Sequence, residues 1–181
     1  MEHPDPAISE LLNRYADIVR EWAPRLDLVS PTDLPRFEER HIADSLRALP
    51  AVIAAGPGPC VDVGSGAGLP GIPLAIASGR VWRLLEPRAR RAGFLEEAVR
   101  ELGLPCEVIR MSAAEAAAAG FDAAHVVATA RALAKPDEAV AICRPLVSPG
   151  GYVLVFHGER SPGPAESEEI APGIAKVVVT E

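Results

Sequence analysis

Residues 61–71 read Val61-Asp62-Val63-Gly64-Ser65-Gly66-Ala67-Gly68-Leu69-Pro70-Gly71, and this stretch decides the fold. A short apolar run passes directly into closely spaced glycines, and a helical pattern follows over 70–79. Glycines after a strand let the backbone approach a ligand closely, and the helix start favours a negative group. Gly66 to Gly71 formally satisfies the G-x-G-x-x-G dinucleotide pattern. That pattern should begin at the strand's end, however, and the first glycine there is Gly64, which gives G-x-G-x-G. On the loop alone both readings stay open, and so does a plain tight turn.

Working outward, short apolar strands alternate with helical patterns. Strands are expected at 60–63, 81–86, 105–110, 124–129 and 151–157, and helices near 70–79, 88–103, 112–119 and 135–146. Such alternation predicts an α/β fold, a mostly parallel sheet with helices on both faces. Right-handed crossovers then put every strand-to-helix loop at one edge, where ligands bind. Segment 159–173, with three prolines and Glu166, Glu168 and Glu169, reads as a loop, and 174–180 as a last strand. Upstream, Gly56-Pro57-Gly58-Pro59 is a strong breaker. Before it, Ile8, Leu11, Leu12, Tyr15, Ile18, Val19 and Trp22 recur at helical spacing until Pro24. Thr32 is placed to cap a second helix carrying Phe37, Ile42, Leu46 and Leu49 on one side. The expected organisation is a helical extension, 1–55, packed on a core domain, 56–181, as one compact unit.

Composition narrows the class. A chain of 181 residues with 49% hydrophobic and 24% charged residues fits one soluble globular domain. No apolar run approaches the length of a membrane span, and MEHPDPAISE lacks the features of an export signal. Cys60, Cys106 and Cys143 are odd in number, widely spaced and set in apolar stretches. They read as reduced core thiols and point to the cytoplasm. A net charge of −7 argues against coating nucleic acid by bulk electrostatics, though not against a local basic face.

The second strand ends in Glu86, 18 positions after Gly68 (86 − 68). A carboxylate there can accept both hydroxyls of a ribose. Glycine loop and acid together indicate an adenosine-containing cofactor, with NAD and S-adenosylmethionine both possible at this point.

The wider pattern is more specific. DVGSGAGLPGIPLAI (62–76) resembles motif I of class I S-adenosylmethionine-dependent methyltransferases. It resembles more narrowly the small-subunit ribosomal RNA guanine-N7 methyltransferases, the glucose-inhibited division protein B family. ERHIADSLRALP (39–50), LLEPRARRAGFLEEAVRELGL (84–104), SAAE (112–115), ARAL (130–133) and RPLVSPGGYVLVFHG (144–158) carry the likeness through most of 27–158. The resemblance implies a Rossmann-like class I fold, S-adenosyl-L-methionine as cofactor, and 16S ribosomal RNA or the small subunit as partner. It places Gly64, Ser65, Gly66, Gly68 and Leu69 at the methionine end, Asp62 beneath the loop, and Glu86 on the ribose. Ala114 and Glu115 border the adenine, and Arg131 faces cofactor and substrate as the candidate catalytic group.

Transfer from a sulfonium to guanine N7 needs alignment and water exclusion more than proton transfer, so no general base is expected. His41 and Asp44 share a helix face; too few ligands accompany them for a metal, and a bond locking their helix to the glycine loop competes with substrate contact. His3 reads as a tail residue, and His125 and His157 as strand or edge groups. Arg80, Arg83, Arg88, Arg90 and Arg91 form the most basic stretch, read either as phosphate-facing or as a solvated face. Basic positions of the family pattern are occupied here by Ala113, Gly93 and His157, and the pattern has one more strand after Glu181. A relative reassigned to a small molecule or peptide is therefore the alternative.

Overall fold

The computed structural model describes residues 5–180; His3 lies outside them. Helix α1 (Pro6–Trp22) starts where the Asp5 carboxylate accepts the Ala7 amide at 2.9 Å, and it buries Leu12, Tyr15, Ala16, Ile18 and Val19. The expected second helix is broken into a 3-10 turn (Leu34–Arg36), a π-helical turn (Glu38–Ile42), α2 (Ala43–Leu46) and α3 (Leu49–Ala54). Pro35 and Pro50 each lack an amide to donate, so each can only open a new segment. Thr32 does not cap it. Ser30 makes the turn instead, its hydroxyl oxygen accepting the Asp33 amide at 3.2 Å.

The core follows as β1 (Cys60–Val63), α4 (Gly71–Ser78), β2 (Trp82–Leu85), α5 (Ala89–Leu102), β3 (Cys106–Ile109) and α6 (Ala113–Ala116). It continues through β4 (His125–Arg131), α7 (Pro136–Cys143), β5 (Val147–Phe156), β6 (Glu168–Ala171) and β7 (Ile174–Val178). The seven strands are ordered β3-β2-β1-β4-β5-β7-β6. Strands β1 to β5 run parallel, while β7 is antiparallel to β5 and β6 to β7. This is the α/β, Rossmann-like sheet expected. The seventh strand is β6, which lies inside the segment read as a loop; its exposed Glu168 and Glu169 conceal the period-two signal of an edge strand.

Strand alternation sorts the core into two layers. Cys60, Trp82, Leu84, Val127 and Leu154 face α1, α4 and α5, in one cluster with Tyr15, Ile18, Phe37 and Phe94. Val61, Val63, Leu85, Ala128, Val153 and Val155 face the other way, toward α6 and α7. The N-terminal helices thus share the cluster that covers one face of the sheet. Among the described residues no helix is long and apolar enough to cross a membrane. All three cysteines are unpaired, and burial pushes the thiols up to about 11 at Cys60 and about 12 at Cys106 and Cys143.

Candidate functional site

Register builds the site. Val63 pairs with Leu85 on one side and Ala130 on the other, so Gly64, Glu86 and Arg131 leave three adjacent strands at one level. The ladder continues into the loop, where the amides of Gly64 and Ser65 both donate to Leu85 O, at 2.9 and 3.0 Å. Gly66, at φ +56°, then turns its amide toward Glu86 and donates to Oε2 at 3.0 Å. The other carboxylate oxygen accepts the Arg88 amide at 2.9 Å. Glu86 is only 2% exposed, yet it lines the cavity. Its oxygens retain lone pairs there for further donors.

That cavity holds about 610 Å³. Val63, Gly64, Ser65, Gly66, Ala67 and Leu69 form its floor, and Met111, Ala113, Ala114, Leu133 and Ile142 its apolar side. Leu28, Val29 and Ser30 reach it from the link after α1, and His41 and Arg131 close it on the β4 side. The size and the mix of apolar walls with few polar groups suit a nucleoside-sized ligand.

Not every expected residue reaches the space. Gly68, at φ +90°, faces inward, where an added Cβ would lie 2.5 Å from Ile72 Cδ1. It shapes the turn and does not line the cavity. Asp62 sits beneath the loop as expected, 1% exposed, accepting the Gly71 amide at 3.3 Å and the Thr129 hydroxyl at 2.7 Å. Burial raises its carboxyl to about 6, against the pull of those hydrogen bonds and of Arg131. Ala114 lines the cavity, but Glu115 does not. Its carboxylate closes a capping box, accepting the Ser112 amide at 2.8 Å and hydroxyl at 2.7 Å.

Arg131 ends β4 beside Phe156 of β5, its guanidinium 6.0 Å from that ring's centre. Nη1 lies 3.2 Å from Asp44 Oδ2, and Nη2 donates to His41 Nδ1 at 3.0 Å. The fold thus locks His41 and Asp44 onto Arg131 rather than onto the glycine loop.

A family model described as GidB, rRNA small subunit methyltransferase G, matches residues 8–180. The chain belongs to this family. It is 37% identical over 169 residues to ribosomal RNA small subunit methyltransferase G of Mycolicibacterium gilvum, covering 93% of this chain and 73% of that protein. The protein of the same description from Granulibacter bethesdensis is 38% identical over 154 residues, 84% of this chain and 69% of the relative. Among solved structures, a mutant of MtNAS superposes with a TM-score of 0.65 at 16% identity, covering 96% of this chain and 76% of that one. That likeness concerns the fold.

For a GidB-family methyltransferase the methyl donor is S-adenosylmethionine, and the glycine floor, the Glu86 carboxylate and the apolar side fit such a nucleoside. Sequence reasoning missed two contributors. Tyr15 of α1 donates its hydroxyl to Ala67 O at 2.7 Å, so the helical extension props the glycine loop. The link after α1 roofs the cavity because Arg90 and Arg91 hold it, donating to Arg25 O at 2.9 Å and Asp27 O at 2.6 Å. Helical periodicity in α1 marked Tyr15 as core, and nothing in it signals the hydroxyl's target.

The arginine stretch is thereby resolved. Arg80 donates to Gly56 O and Ala55 O, at 2.9 and 2.6 Å. Arg83 pairs with Glu107 at 3.2 Å and lies over the Phe121 ring. These, with Arg90 and Arg91, are braces, and only Arg88 and Arg91 line the cavity. His125 is a satisfied core group, as expected, bonded to Leu146 O at 2.8 Å and to Arg83. His157 sits at the edge, its Nδ1 bonded to Ser161 O at 2.8 Å.

Proposed function

We propose that this protein transfers a methyl group from S-adenosylmethionine to N7 of a guanine in 16S ribosomal RNA of the small subunit. The observation that carries the reading is Arg131, paired with Asp44 at the wall of the cavity that the glycine loop and Glu86 floor. In this reading Gly64, Ser65, Gly66 and Leu69 cradle the methionine end, with Asp62 and Gly68 supporting the loop from behind. Glu86 takes the ribose hydroxyls and Ala114 lies at the adenine.

The bound donor supplies an already activated methyl on a sulfonium. The chain's share is alignment and exclusion of water. Guanine N7 carries a free lone pair at neutral pH, so no group has to remove a proton. Arginine recognises guanine through O6 and N7; with N7 reserved for attack, Arg131 donates to O6 and sets the angle of approach. Positive charge moves from sulfur to the base during transfer. An unpaired guanidinium would oppose that movement, and the Asp44 carboxylate, which Arg131 shares with Arg47, offsets part of the opposition. The unpaired thiols suit a reducing compartment such as the cytoplasm.

The test is transfer of labelled methyl into small subunits from a strain lacking this gene, set against a metabolite extract. Label at a single guanine, sensitive at N7, supports the reading. Label in the extract and none in the subunits moves the substrate to a small molecule or peptide, the use that would suit a chain whose arginines are mostly engaged internally.

A further inference from the structure

Two buried side-chain polar atoms lack a hydrogen-bond partner among the described residues, His41 Nε2 and Arg131 Nη1, and they belong to side chains that touch. Buried donors normally find acceptors, so an open pair at a cavity wall calls for an explanation. A guanidinium has donors only. In the 3.0 Å contact between Arg131 Nη2 and His41 Nδ1, the imidazole nitrogen is therefore the acceptor. Neutral His41 must then carry its proton on Nε2, which lies 3.9 Å from Asp33 Oδ2. Arg131 Nη1 lies 3.2 Å from Asp44 Oδ2, near enough for charge pairing yet out of line for a hydrogen bond.

The surroundings favour the neutral ring. Burial and the Arg131 cation lower the His41 titration, Asp33 and Asp44 oppose them without reversing the direction, and Arg40 adds a smaller lowering. Phe37 lies against the imidazole at 5.4 Å and blocks a swing away from Arg131. A neutral acceptor adds no charge to a cluster in which Asp44 is shared between Arg131, 3.2 Å from Oδ2, and Arg47, which donates to Oδ1 at 3.0 Å.

We propose that His41 is a positioning residue for methyl transfer: its Nδ1 lone pair and the Asp44 carboxylate clamp the Arg131 guanidinium at the cavity wall, in place to donate to the acceptor base. The inference rests on the reading of Arg131 as the substrate-facing group. Protonation of His41 removes the lone pair and sets a second cation against the first, so the clamp opens. Asp44 then holds the charge without fixing the plane.

Two measurements on the full chain test this. The first needs no turnover: nitrogen-15 NMR of the His41 ring is expected to show the Nε2–H form at pH 7.5, with a titration midpoint that rises in Arg131→Gln. An Nδ1–H form, or an unmoved midpoint, overturns the clamp. The second is kcat against pH at saturating donor and small subunits. The wild-type rate is expected to fall on the acid side as His41 protonates. His41→Leu should lose roughly ten- to a hundredfold in kcat while donor KM stays within about twofold, the cost of a misplaced group. His41→Asn, which offers a non-titrating oxygen near the Nδ1 position, should recover most of that loss and lack the acid limb. A retained acid limb in His41→Asn, or a kcat in His41→Leu within about twofold of wild type, overturns the proposal. Should wild-type protein label no small subunit, the proposed function fails, while the tautomer and the midpoint still decide the clamp.

Discussion

At the scale of single residues, the same motif letter does different work at different positions. Gly66 and Gly68 both read as ligand-cradling, yet only Gly66 lines the cavity. A Cβ on Gly66 would meet nothing closer than 3.8 Å, whereas one on Gly68 would sit 2.5 Å from Ile72 Cδ1. Gly68→Ala should therefore cost about 2–3 kcal/mol of stability, from overpacking added to the left-handed backbone. Gly66→Ala should cost about 1 kcal/mol and lower donor affinity more than Gly68→Ala does, as paired melts and calorimetric titrations will show. Asp62 yields a pH prediction. Its folded carboxyl titrates at about 6, and the unfolded one near ~3.9. Between these values the native state holds a proton that the unfolded chain lacks, so the contribution is present in acid and lost as pH rises through 6. Asp62→Asn cannot titrate, and it can keep an acceptor for the Gly71 amide if the Thr129 hydroxyl reverses its role. Relative to wild type, its urea stability should rise by about 2 kcal/mol between pH 4.5 and 7.5. A flat difference over that range would mean the ionised carboxylate is fully compensated in place.

At the scale of elements, the legible parts were those with a strong period or punctuation. The strands β1 to β5 and helices α4, α5 and α7 fall where apolar runs and Gly or Pro boundaries put them. The second helix was misread because Phe37 and Ile42 keep helical spacing across a 3-10 turn and a π-helical turn that spacing cannot distinguish. Strand β6 escaped because an edge strand of four residues can carry Glu168 and Glu169 outward and still pair with β7. The tie between α1 and the glycine loop was illegible for a different reason: a hydroxyl bonded to a carbonyl 52 residues away leaves no local pattern. That bond carries a prediction. Burial holds the Tyr15 hydroxyl well above its ordinary titration range, so it remains a donor at any pH the protein tolerates. Tyr15→Phe keeps the edge-to-face contact with Phe37, 5.6 Å between ring centres, and removes only the bond to Ala67 O. Stability should fall by about 1–2 kcal/mol, the cost of an unsatisfied buried carbonyl. Donor affinity should weaken as well, because Ala67 is part of the cavity floor. A stability loss with unchanged affinity would show that the loop keeps its shape without the prop.

At the scale of the whole molecule, the division into a helical extension and a core domain describes sequence order more than cooperativity. Residues of α1 and of the sheet occupy one hydrophobic cluster, and the roof of the cavity comes from the link between them. If that cluster is one folding unit, no state exists in which the sheet is intact and α1 is detached. The two tryptophans of the chain separate the possibilities. Trp22 ends α1 and packs edge-on against Phe94 of α5, 5.9 Å between ring centres, while Trp82 is wholly buried in β2. Trp82→Phe leaves fluorescence that reports the extension, and Trp22→Phe leaves fluorescence that reports the sheet. Each substitution shifts the midpoint by its own cost, so the diagnostic is agreement between fluorescence and far-ultraviolet dichroism within each variant. Coincident urea transitions with equal slopes are expected in both. An early fluorescence transition in Trp82→Phe, with dichroism lagging behind, would mean that the extension detaches first. The cavity would then lose its roof and the Tyr15 prop together, and donor binding would have to vanish with that first transition rather than with global unfolding.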